Sequence, residues 1–473
     1  MIEKKITQLF ESWANKKLKS IFKLPASGSY RSYYRIVSDG NTYLGVHNND
    51  NKENNAFIAF SKEFLKLNLN VPEIYAVNHS ENIYLIEDFG DETLFNRLQK
   101  IRNDTDDKTE IIVLYKKVLK ELPRFQITAS EHIDYDNCYP RKQFDKQSMM
   151  WDLNYFKYYF LKLAQIPFDE QLLEEDFEKF VAFLLKTETN YFLYRDFQSR
   201  NIMLKNENPY FIDYQGGRKG ALQYDVASLL YDAKADLDNE TRTELLDFYL
   251  DELSVYIKVD KQEFKSFLYP YVIIRILQAM GAYGFRGFYE NKPLFLQSIP
   301  YAINNLNYLL ENIELKTDTN YLFEVLHNLK NSVKINHIIN SQKLKIKINS
   351  FSFKKQHPAD NSGNGGGFVF DCRALPNPGR LDYYKTLTGK NQEVINYLEN
   401  DKNVIQFVNN VFALVSISID NYIERGFENL MISFGCTGGQ HRSVYCAEKL
   451  AMLIFDRFRI QADVYHIEQA DRK

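Results

Sequence analysis

Cysteine is scarce in this sequence of 473 residues, and its four copies are Cys138, Cys372, Cys436 and Cys446. None belongs to a Cys-x-x-Cys pair, so neither a zinc site nor a disulfide framework is expected. Runs of about 18 apolar residues, which a membrane-spanning helix needs, are also missing. The first 17 residues have an amphipathic helical pattern and not that of a signal peptide. These absences predict a cytoplasmic protein without a membrane span.

The sequence also lacks an excess of charge of either sign. Its 59 basic and 62 acidic residues give a net charge of −3, which argues against a protein that coats nucleic acid along its whole surface. A local basic cluster remains, formed by Lys343, Lys345, Lys347, Lys354 and Lys355. It is a candidate contact for RNA phosphates, but the alternation of lysine with leucine and isoleucine favours the wet face of an edge strand.

Apolar residues are abundant: 45% of the chain is hydrophobic and 15% is aromatic, enough for sizeable cores. Strand patterns come first, helical patterns dominate 92–190 and 222–335, and strands alternate with helices after 350. We therefore predict a bilobal α+β fold, with an antiparallel sheet in the N-lobe and a helical C-lobe. A small α/β domain with a mainly parallel sheet follows. The predicted boundaries are 1–335 for the first domain, 336–349 for a linker and 350–473 for the second domain.

The stretch Tyr191–Gly217 carries the polar residues that point to chemistry. Asp196 is followed by Asn201 five residues later and by Asp213 twelve residues after that. Three apolar runs around them predict short strands in one β-loop-β-turn-β unit, which would bring the three side chains together. Phosphoryl transfer needs this set: one carboxylate faces the attacking hydroxyl, while an amide and a second carboxylate hold Mg²⁺. The alternative is a loop whose acids cap turns.

The order of several segments carries a family resemblance. The segment YRDFQSRNIM has the spacing of the kinase loop H-R-D-x-x-x-x-N, and DYQ stands where D-F-G would. With LPASGSYRSYYR, VPEIYA, IEDFGDETL, FIDYQGG, YDVASLLYD and RILQAMGAYG, it makes residues from about 20 to 335 resemble the aminoglycoside phosphotransferase and choline kinase family. Within that family the chain is most similar to kinases of the anomeric hydroxyl of N-acetylmuramate and N-acetylglucosamine. The resemblance implies ATP and Mg²⁺ as cofactors and a sugar or amino sugar as substrate.

The resemblance also implies roles for individual residues. Asp196 would be the catalytic base or hydroxyl-orienting group, and Asn201 and Asp213 would bind Mg²⁺. Near the substrate or phosphate we expect Arg200, Gln215 and Arg275. Expected to contact the nucleotide are the loop residues Ser27, Gly28, Ser29 and Arg31 and the inter-lobe hinge residues Glu87, Asp88 and Phe89. For the loop, an ordinary hairpin is an equally good interpretation.

The lysine that kinases normally carry on the third N-lobe strand is missing here. That strand reads TYLGVH at residues 42–47. His47, Lys52, Arg31 and Arg35 are the candidate substitutes in the sequence. Glu53 and Glu63 are candidate acidic partners for such a cation, although a solvated helix face is the favoured interpretation for both.

A second candidate site is the loop GCTGGQHRS at residues 435–443, between a predicted buried strand and a helix. Its glycines let successive N–H groups converge, and a helix N-terminus favours an anion. We predict an anion site formed by Arg373, Thr437, Gly438, Gly439, His441, Arg442 and Ser443. The loop lacks the GK[ST] ending of a Walker A motif. It fits the Cys-x5-Arg spacing of cysteine-dependent phosphatases, and a plain structural turn is the third interpretation.

The segments FSFK, FVFDCRALPNP, LTGKN and GCTGGQHRSVYCAEKL make residues 350–472 resemble the C-terminal domain of the RapZ RNase-adapter family. The resemblance implies binding of a hexosamine phosphate and of small RNA. Three hypotheses follow: a sugar kinase with a domain that senses a sugar phosphate, an RNA-binding adapter with a degenerate kinase domain, and a phosphatase that uses Cys436. A homo-oligomer is compatible with each.

Overall fold

The computed structural model describes residues 2–25, 31–105, 107–355, 357–363, 367–458 and 460–470. The chain folds into two compact units. One contains residues 1–284 and 301–327, and the other contains residues 285–300 and 328–473. Because residues 285–300 join the second unit, the two units are not two continuous halves of the chain. The predicted domain boundaries stay a prediction.

The first unit begins with a five-stranded antiparallel sheet in the order β1-β2-β3-β5-β4. Its strands are β1 Ser20–Lys23, β2 Ser32–Ser38, β3 Asn41–His47, β4 Ile74–Asn78 and β5 Ile83–Glu87. The β2–β3 hairpin turns at Asp39 and Gly40, whose φ angles are +48° and +79°. Two positive φ values match the twist of a tight hairpin. The predicted Asp-Gly hairpin is therefore confirmed.

Two helices cover the opposite faces of this sheet. Helix α1, Ile2–Ala14, packs Ile6 and Phe10 onto it, and α2 spans Asn51–Lys66. A Cβ atom on Gly45 would lie 2.3 Å from Ile6 Cγ2, so the bare backbone of β3 lets α1 lie close. Helix α1 ends at Ala14 and is therefore shorter than the helical pattern of the first 17 residues, and β1 begins at Ser20 and pairs with β2.

A helical region follows the sheet. Its helices are α3 Leu94–Asp104, α4 Lys108–Pro123, α5 Lys146–Phe156, α6 Glu170–Leu184, α7 Gln223–Leu230, α8 Asn239–Leu253, α9 Lys261–Gly284, α10 Pro293–Leu296, α11 Ile299–Asn312 and α12 Asn320–His327. Between α6 and α7 lie β6 Tyr191–Leu193, β7 Ile202–Lys205, β8 Asn208–Phe211 and β9 Arg218–Gly220. Strands β7 and β8 form the predicted hairpin, but β6 pairs with β9 and not with β7. The three predicted strands and the turn between β7 and β8 are therefore confirmed, whereas the pairing of β6 with the later β9 was not predicted.

The second unit is built on a four-stranded parallel sheet in the order β11-β12-β10-β13. Its elements are α13 Val333–Lys343, β10 Lys345–Ser352, β11 Gly367–Asp371, α14 Gln392–Glu399, α15 Lys402–Arg425, β12 Asn429–Cys436, α16 Arg442–Phe458, β13 Asp463–His466 and α17 Ile467–Ala470. The predicted bilobal α+β region and parallel α/β domain are both confirmed.

Residues 336–349 form most of α13 and the first part of β10, and their role as a linker stays a prediction. The edge-strand interpretation of the lysines is also wrong: β10 lies between β12 and β13. Lys345 and Lys347 are exposed, while Ile346 and Ile348 are buried, as the period of two predicts. The lysines therefore mark the exposed face of an interior strand.

Helix α15 is the one helix in the described ranges whose length and apolarity would suit a membrane crossing. Its residues Val404, Val408, Val411, Val415 and Ile419 form part of the buried core of the second unit. This spacing of three and four residues is that of a helix packed on a core by one face. Length and composition are therefore weak grounds for a membrane span here.

Candidate active site and C-terminal loop

The loop after β6 is held by a buried ion pair. Arg195 has a φ of +82°, in a region uncommon for residues other than glycine. Its guanidinium donates to both carboxylate oxygens of Asp152, at 2.7 and 2.8 Å, and to the hydroxyl of Tyr224 at 2.7 Å. It also lies 4.8 Å from the ring centre of Phe144. These contacts fix the backbone from which Asp196 projects.

A second carboxylate, Asp225 of α7, holds the same loop through its backbone. It is fully buried and accepts hydrogen bonds from the backbone N–H groups of Tyr194 (2.8 Å) and Arg195 (3.0 Å). Burial raises the pKa of Asp225 to about 7, although the two donors oppose the shift. The spacing of Asp225 in YDVASLLYD gave no sign of this role, because its partners lie 30 residues upstream.

The raised pKa of Asp225 predicts a pH dependence of stability. A carboxyl that holds its proton more tightly when folded stabilises the fold below about pH 4, and this contribution is lost as the pH rises towards about 7. Between pH 5 and 7 we expect the free energy of unfolding of the wild-type protein to fall as the pH rises. Its slope should exceed that of the Asp225→Asn variant by up to about 1.4 kcal/mol per pH unit. Urea titrations followed by tryptophan fluorescence would measure it, because Trp13 and Trp151, the two tryptophans, lie in the first unit. Parallel pH profiles would refute the prediction.

Asn201 and Asp213 come together as predicted from their spacing. The Asn201 amide donates to the backbone carbonyl of Asp196 at 2.9 Å and to Asp213 Oδ2 at 3.3 Å. Gln215 donates to Asp213 Oδ1 at 2.6 Å. Partial burial raises the pKa of Asp213, and the neighbouring charge of Asp196 raises it further. The three polar residues of the sequence motif therefore form one cluster.

Arg31 lies over this cluster from the N-lobe side. Its guanidinium is 3.2 Å from Glu53 Oε1 and 3.8 Å from Asp213 Oδ1, and its side chain is 2% exposed. Side chains alternate along a strand, so Arg31 shares the face of Tyr33, which pairs with Val46 of β3. Arg31 thus reaches, from the segment before β2, the space under β3 where the expected lysine is missing.

Glu53 was one of two candidate acidic partners for an N-lobe cation, although a solvated helix face was the favoured interpretation. The Glu53 side chain is 32% exposed and contacts Arg31, so the favoured interpretation is wrong. Its other oxygen accepts from Asn48 Nδ2 at 2.8 Å. Glu63 instead pairs with Lys66 one turn away. The sequence feature that distinguishes Glu53 from Glu63 is its position in the first turn of α2, next to the segment that follows β3.

The remaining predicted nucleotide contacts fall in different places. Ser27, Gly28 and Ser29 lie outside the described residues. Arg35 donates to Asp88, with its Nε 2.6 Å from Oδ2, so these two side chains hold each other. Glu87 pairs with Lys205 at 2.9 Å, and the ring of Phe89 lies 4.4 Å from that of Tyr210. The side chains of the hinge are thus occupied, as a hinge that contacts a ligand through its backbone would require.

The two arginines predicted near the substrate occupy different environments. Arg200 is exposed, and its guanidinium lies 4.6 Å from the ring centre of Phe95. Arg275 is 9% exposed and donates to Ser228 Oγ at 2.9 Å and to Gln278 Oε1 at 2.8 Å. Arg275 lines a cavity together with Gln198 and Asp232. Arg275 is therefore within the helical region close to the catalytic loop, whereas Arg200 is on its surface.

In the second unit, the glycine-rich loop follows the end of β12. Cys436 ends the strand, Arg442 begins α16, and Gly439 has a φ of +64°. The Gly439 N–H donates to Cys436 Sγ at 3.2 Å, and Ser443 Oγ is 3.2 Å from the same sulfur. Burial alone would raise the pKa of Cys436, but these hydrogen bonds lower it below its ordinary value. Gly438 is open, with no atom within 4 Å of where its Cβ would lie.

The charged side chains of this loop contact mainly backbone carbonyl groups of the same unit. Arg442 donates to the backbone carbonyls of Arg373 (2.8 Å) and Leu375 (3.0 Å), and the Nε2 atom of His441 lies 2.8 Å from the carbonyl of Tyr384. The Thr437 hydroxyl is 3.4 Å from Arg442 Nη2. Arg373 is half-exposed and pairs with Asp371 at 2.7 Å. The Arg442 guanidinium is therefore engaged by backbone carbonyls and by Thr437, while the N–H groups of Gly438, Gly439 and Ser443 act on Cys436.

Comparisons with known proteins bear on both units. The profile of the phosphotransferase enzyme family matches residues 22–258, and that of the RapZ C-terminal domain matches residues 344–470. A nucleotide-binding protein of Lactobacillus helveticus is 33% identical over 185 residues, which are 36% of this chain and 60% of that protein. One of Fervidobacterium nodosum is 36% identical over 112 residues, which are 24% of this chain and 38% of that protein. The chain thus spans less than two thirds of the length of these curated relatives.

Solved structures of similar fold include choline kinase LicA from Streptococcus pneumoniae, with a TM-score of 0.44 and 15% identity over 65% of this chain and 99% of that one. Choline kinase from Cryptosporidium parvum has a TM-score of 0.46 and 12% identity over 69% of this chain and 99% of that one. The family profile covers half of the chain and includes the cluster of Asp196, Asn201 and Asp213. The chain belongs to the phosphotransferase enzyme family and carries a RapZ C-terminal domain in addition.

Proposed function

We propose that the first unit is an ATP- and Mg²⁺-dependent kinase of a sugar or amino sugar, in the metabolism or recycling of cell-wall sugars. The observation that carries the proposal is the cluster of Asp196, Asn201 and Asp213 opposite the Arg31–Glu53 pair. The carboxylate of Asp196 would accept the proton of an attacking hydroxyl, and the guanidinium of Arg31 would bind phosphate oxygens. An aminoglycoside phosphotransferase with ADP bound is among the proteins of similar fold.

The residues present fit a magnesium ion. Asp196, Asp213 and Glu53 repel one another, and Arg31 is the cation that contacts two of them directly. Mg²⁺ is usually held by one or two carboxylates together with phosphates and water, so Asp213 and Asn201 would suffice. Groups of three or more His, Cys, Asp or Glu side chains suited to a metal do not occur in the described parts of the chain. When bound, the ion would neutralise charge on the transferring phosphoryl group.

The roles of the side chains follow from their positions. Asp196 accepts a hydrogen bond from the acceptor hydroxyl and takes its proton as the bond to phosphorus forms. Arg31 holds nucleotide phosphate oxygens, and Glu53 keeps its guanidinium in place. Gln215 and Asn201 fix the carboxylate of Asp213. The Arg195–Asp152 pair and Asp225 keep the backbone of the loop rigid, which preserves the alignment that the transfer requires.

For the second unit we propose binding of an amino-sugar phosphate at the loop 437–441. The support is a glycine-rich loop whose N–H groups converge on Cys436, beside an open Gly438 at the carboxyl end of β12, where parallel sheets bind ligands. Glu468 lies against Gly439 and pairs with Lys355 at 2.7 Å, so an incoming phosphate would meet this acid. The protein would then carry a domain that senses the product of its kinase, in the cytoplasm.

Phosphorylation assays on N-acetylhexosamines with ATP and Mg²⁺ test the proposal for the first unit. We expect ADP formation that depends on the sugar and on the metal, and a sugar phosphate as product. If the protein bound ATP but phosphorylated none of these acceptors, the result would argue against a sugar kinase. For the second unit, calorimetry with glucosamine 6-phosphate should give binding that Gly438→Asp abolishes while leaving ATP binding unchanged.

A second candidate function is that of an RNA-binding adapter with an inactive kinase fold. The exposed lysines of β10, Lys345 and Lys347, favour it, since they form a small basic face. In this case a small RNA would bind at physiological salt with an affinity that falls steeply as salt rises. A mobility-shift assay that detects no specific RNA binding at micromolar protein, together with ATP turnover that depends on the sugar, would favour the kinase over the adapter.

A further inference from the structure

A buried arginine beside the catalytic loop has no acidic partner. Arg218, the first residue of β9, is 7% exposed. Its Nε atom donates to the carbonyl of Gly216 at 3.0 Å. Among the described residues no carboxylate is within ion-pair distance of its guanidinium, and the two terminal nitrogens are unpaired but retain contact with solvent. Two strong donors are thus left without a protein acceptor among the described residues, in a side chain where burying charge is costly.

The position of Arg218 relative to Asp196 indicates which ligand it would meet. Arg218 is hydrogen-bonded to Gly216, and a Cβ atom on Gly216 would lie 3.8 Å from Asp196 Oδ2. Arg31, by contrast, lies 3.2 Å from Glu53 and 3.8 Å from Asp213. Arg218 is thus attached beside Asp196, and Arg31 beside Asp213. In the proposed function Asp213 serves the nucleotide and Asp196 serves the acceptor, so we assign Arg218 to the acceptor.

The electrostatics on this side call for an anion. Both carboxylate oxygens of Asp152 already accept hydrogen bonds from Nη2 of Arg195. Burial, with the nearby Arg195 adding to it, lowers the pKa of Arg218 to about 10, although Asp152 and Asp196 oppose the shift from a distance. The guanidinium remains charged at neutral pH and has no carboxylate in direct contact among the described residues. A ligand carboxylate or phosphate would supply that charge and match the two parallel N–H donors of an arginine.

We propose that Arg218 binds an anionic group of the acceptor, so that the kinase prefers sugars carrying a carboxylate or a phosphate over neutral sugars. This inference rests on the proposed kinase function, which it makes more specific. Arg218 acts as a specificity-determining residue: it holds the acceptor by a group other than the reacting hydroxyl, and this binding energy helps to align that hydroxyl with Asp196.

The test compares matched acceptors: glucose, glucuronate and glucose 6-phosphate, each with ATP and Mg²⁺. For the wild-type protein we expect kcat/KM to be higher for at least one anionic acceptor, and which one shows whether the group is a carboxylate or a phosphate. Arg218→Met should lower that kcat/KM about 10- to 100-fold, as expected for a lost charged hydrogen bond. Its effect on glucose should stay within about threefold, and Arg218→Lys should recover part of the loss.

Lys219→Met is the matched control, because it removes one positive charge from the adjacent residue, whose Nζ lies 4.9 Å from the ring centre of Tyr135. It should leave the preference unchanged. An equal loss on neutral and anionic acceptors in Arg218→Met, or an unaltered preference, would overturn the inference.

A binding measurement keeps the inference testable where turnover is low. Calorimetric titration of glucuronate and of glucose 6-phosphate, in the presence of Mg²⁺ and a non-hydrolysable ATP analogue, should show a site that Arg218→Met removes. A phosphate site in the second unit would persist in that variant, so the two sites are distinguishable. Failure of ATP to bind the wild type would contradict the proposed function, whereas an anion affinity independent of Arg218 would contradict this inference alone.

Discussion

Replacing Asp196 with asparagine should lower the rate of phosphoryl transfer by about 10²- to 10⁴-fold, the usual contribution of a positioned acid–base group. Asparagine has nearly the same shape but cannot accept the proton of the acceptor hydroxyl. Because Asp213, Asn201 and Arg31 remain, the affinity for ATP should change by no more than about threefold. Steady-state kinetics with saturating ATP and a fluorescence titration of the nucleotide would measure the two effects separately.

Asp104→Asn is the matched control for this substitution, because Asp104 is an exposed aspartate at the end of α3. It removes the same charge from the first unit and should leave the rate unchanged. A rate in Asp196→Asn equal to that of the wild type would contradict the assigned role of the carboxylate. Loss of ATP binding together with the rate would instead indicate a damaged fold.

Replacing Arg31 with methionine should lower kcat/KM for ATP by about 100-fold, since a charge-assisted contact to phosphate is worth roughly 1.5–3 kcal/mol and Arg31 also contacts Asp213, the proposed metal ligand. Arg31→Lys should recover part of the loss, because it keeps the charge but not the paired donors. Glu53→Gln should have a smaller effect in the same direction, since it removes the group that positions Arg31. Initial rates at varied ATP would give these values.

The comparison with Lys52 makes the test of Arg31 selective. Lys52 is another N-lobe cation that the sequence left open, but its Nζ lies 5.9 Å from the ring centre of Tyr139. Lys52→Met should change kcat/KM for ATP by less than about twofold, as surface substitutions usually do. In a double-mutant cycle, Arg31→Met and Glu53→Gln should be less than additive because the two side chains touch. Strict additivity, or a larger effect at Lys52, would show that another cation holds the phosphates.

The features predicted correctly from the sequence depend on neighbours along the chain. The Asp39–Gly40 hairpin is specified by two residues that tolerate positive φ, and the spacing of Asp196, Asn201 and Asp213 is bridged by the short β7–β8 hairpin. Parallel strands after 350 follow from the alternation of strand and helix patterns. In each case the information lies within a few tens of residues, where periodicity and turn chemistry act.

The features that escaped prediction depend on distant segments. Strand β6 pairs with β9 because the chain returns after a hairpin, and no local pattern in either strand marks its partner. The lysines of β10 looked like an edge because one strand does not reveal its neighbours, and β12 and β13 lie about 80 and 115 residues later. Ile346 and Ile348 of the same strand are buried in a core formed with helices from elsewhere in the unit, which the strand pattern alone does not reveal.

The sequence by itself determined the set of groups that we propose for phosphoryl transfer, because that set is a matter of residue type and short spacing. Only the tertiary structure decided which cation contacts them. Arg31, Glu53 and Asp213 come from three segments, and their contact exists because the segment before β2, the start of α2 and the loop after β8 converge. The same holds for Arg218, whose missing partner is visible only once every nearby carboxylate has been placed. Whether a buried charged side chain has an oppositely charged partner depends on its neighbours in the folded protein, which the order of residues does not reveal.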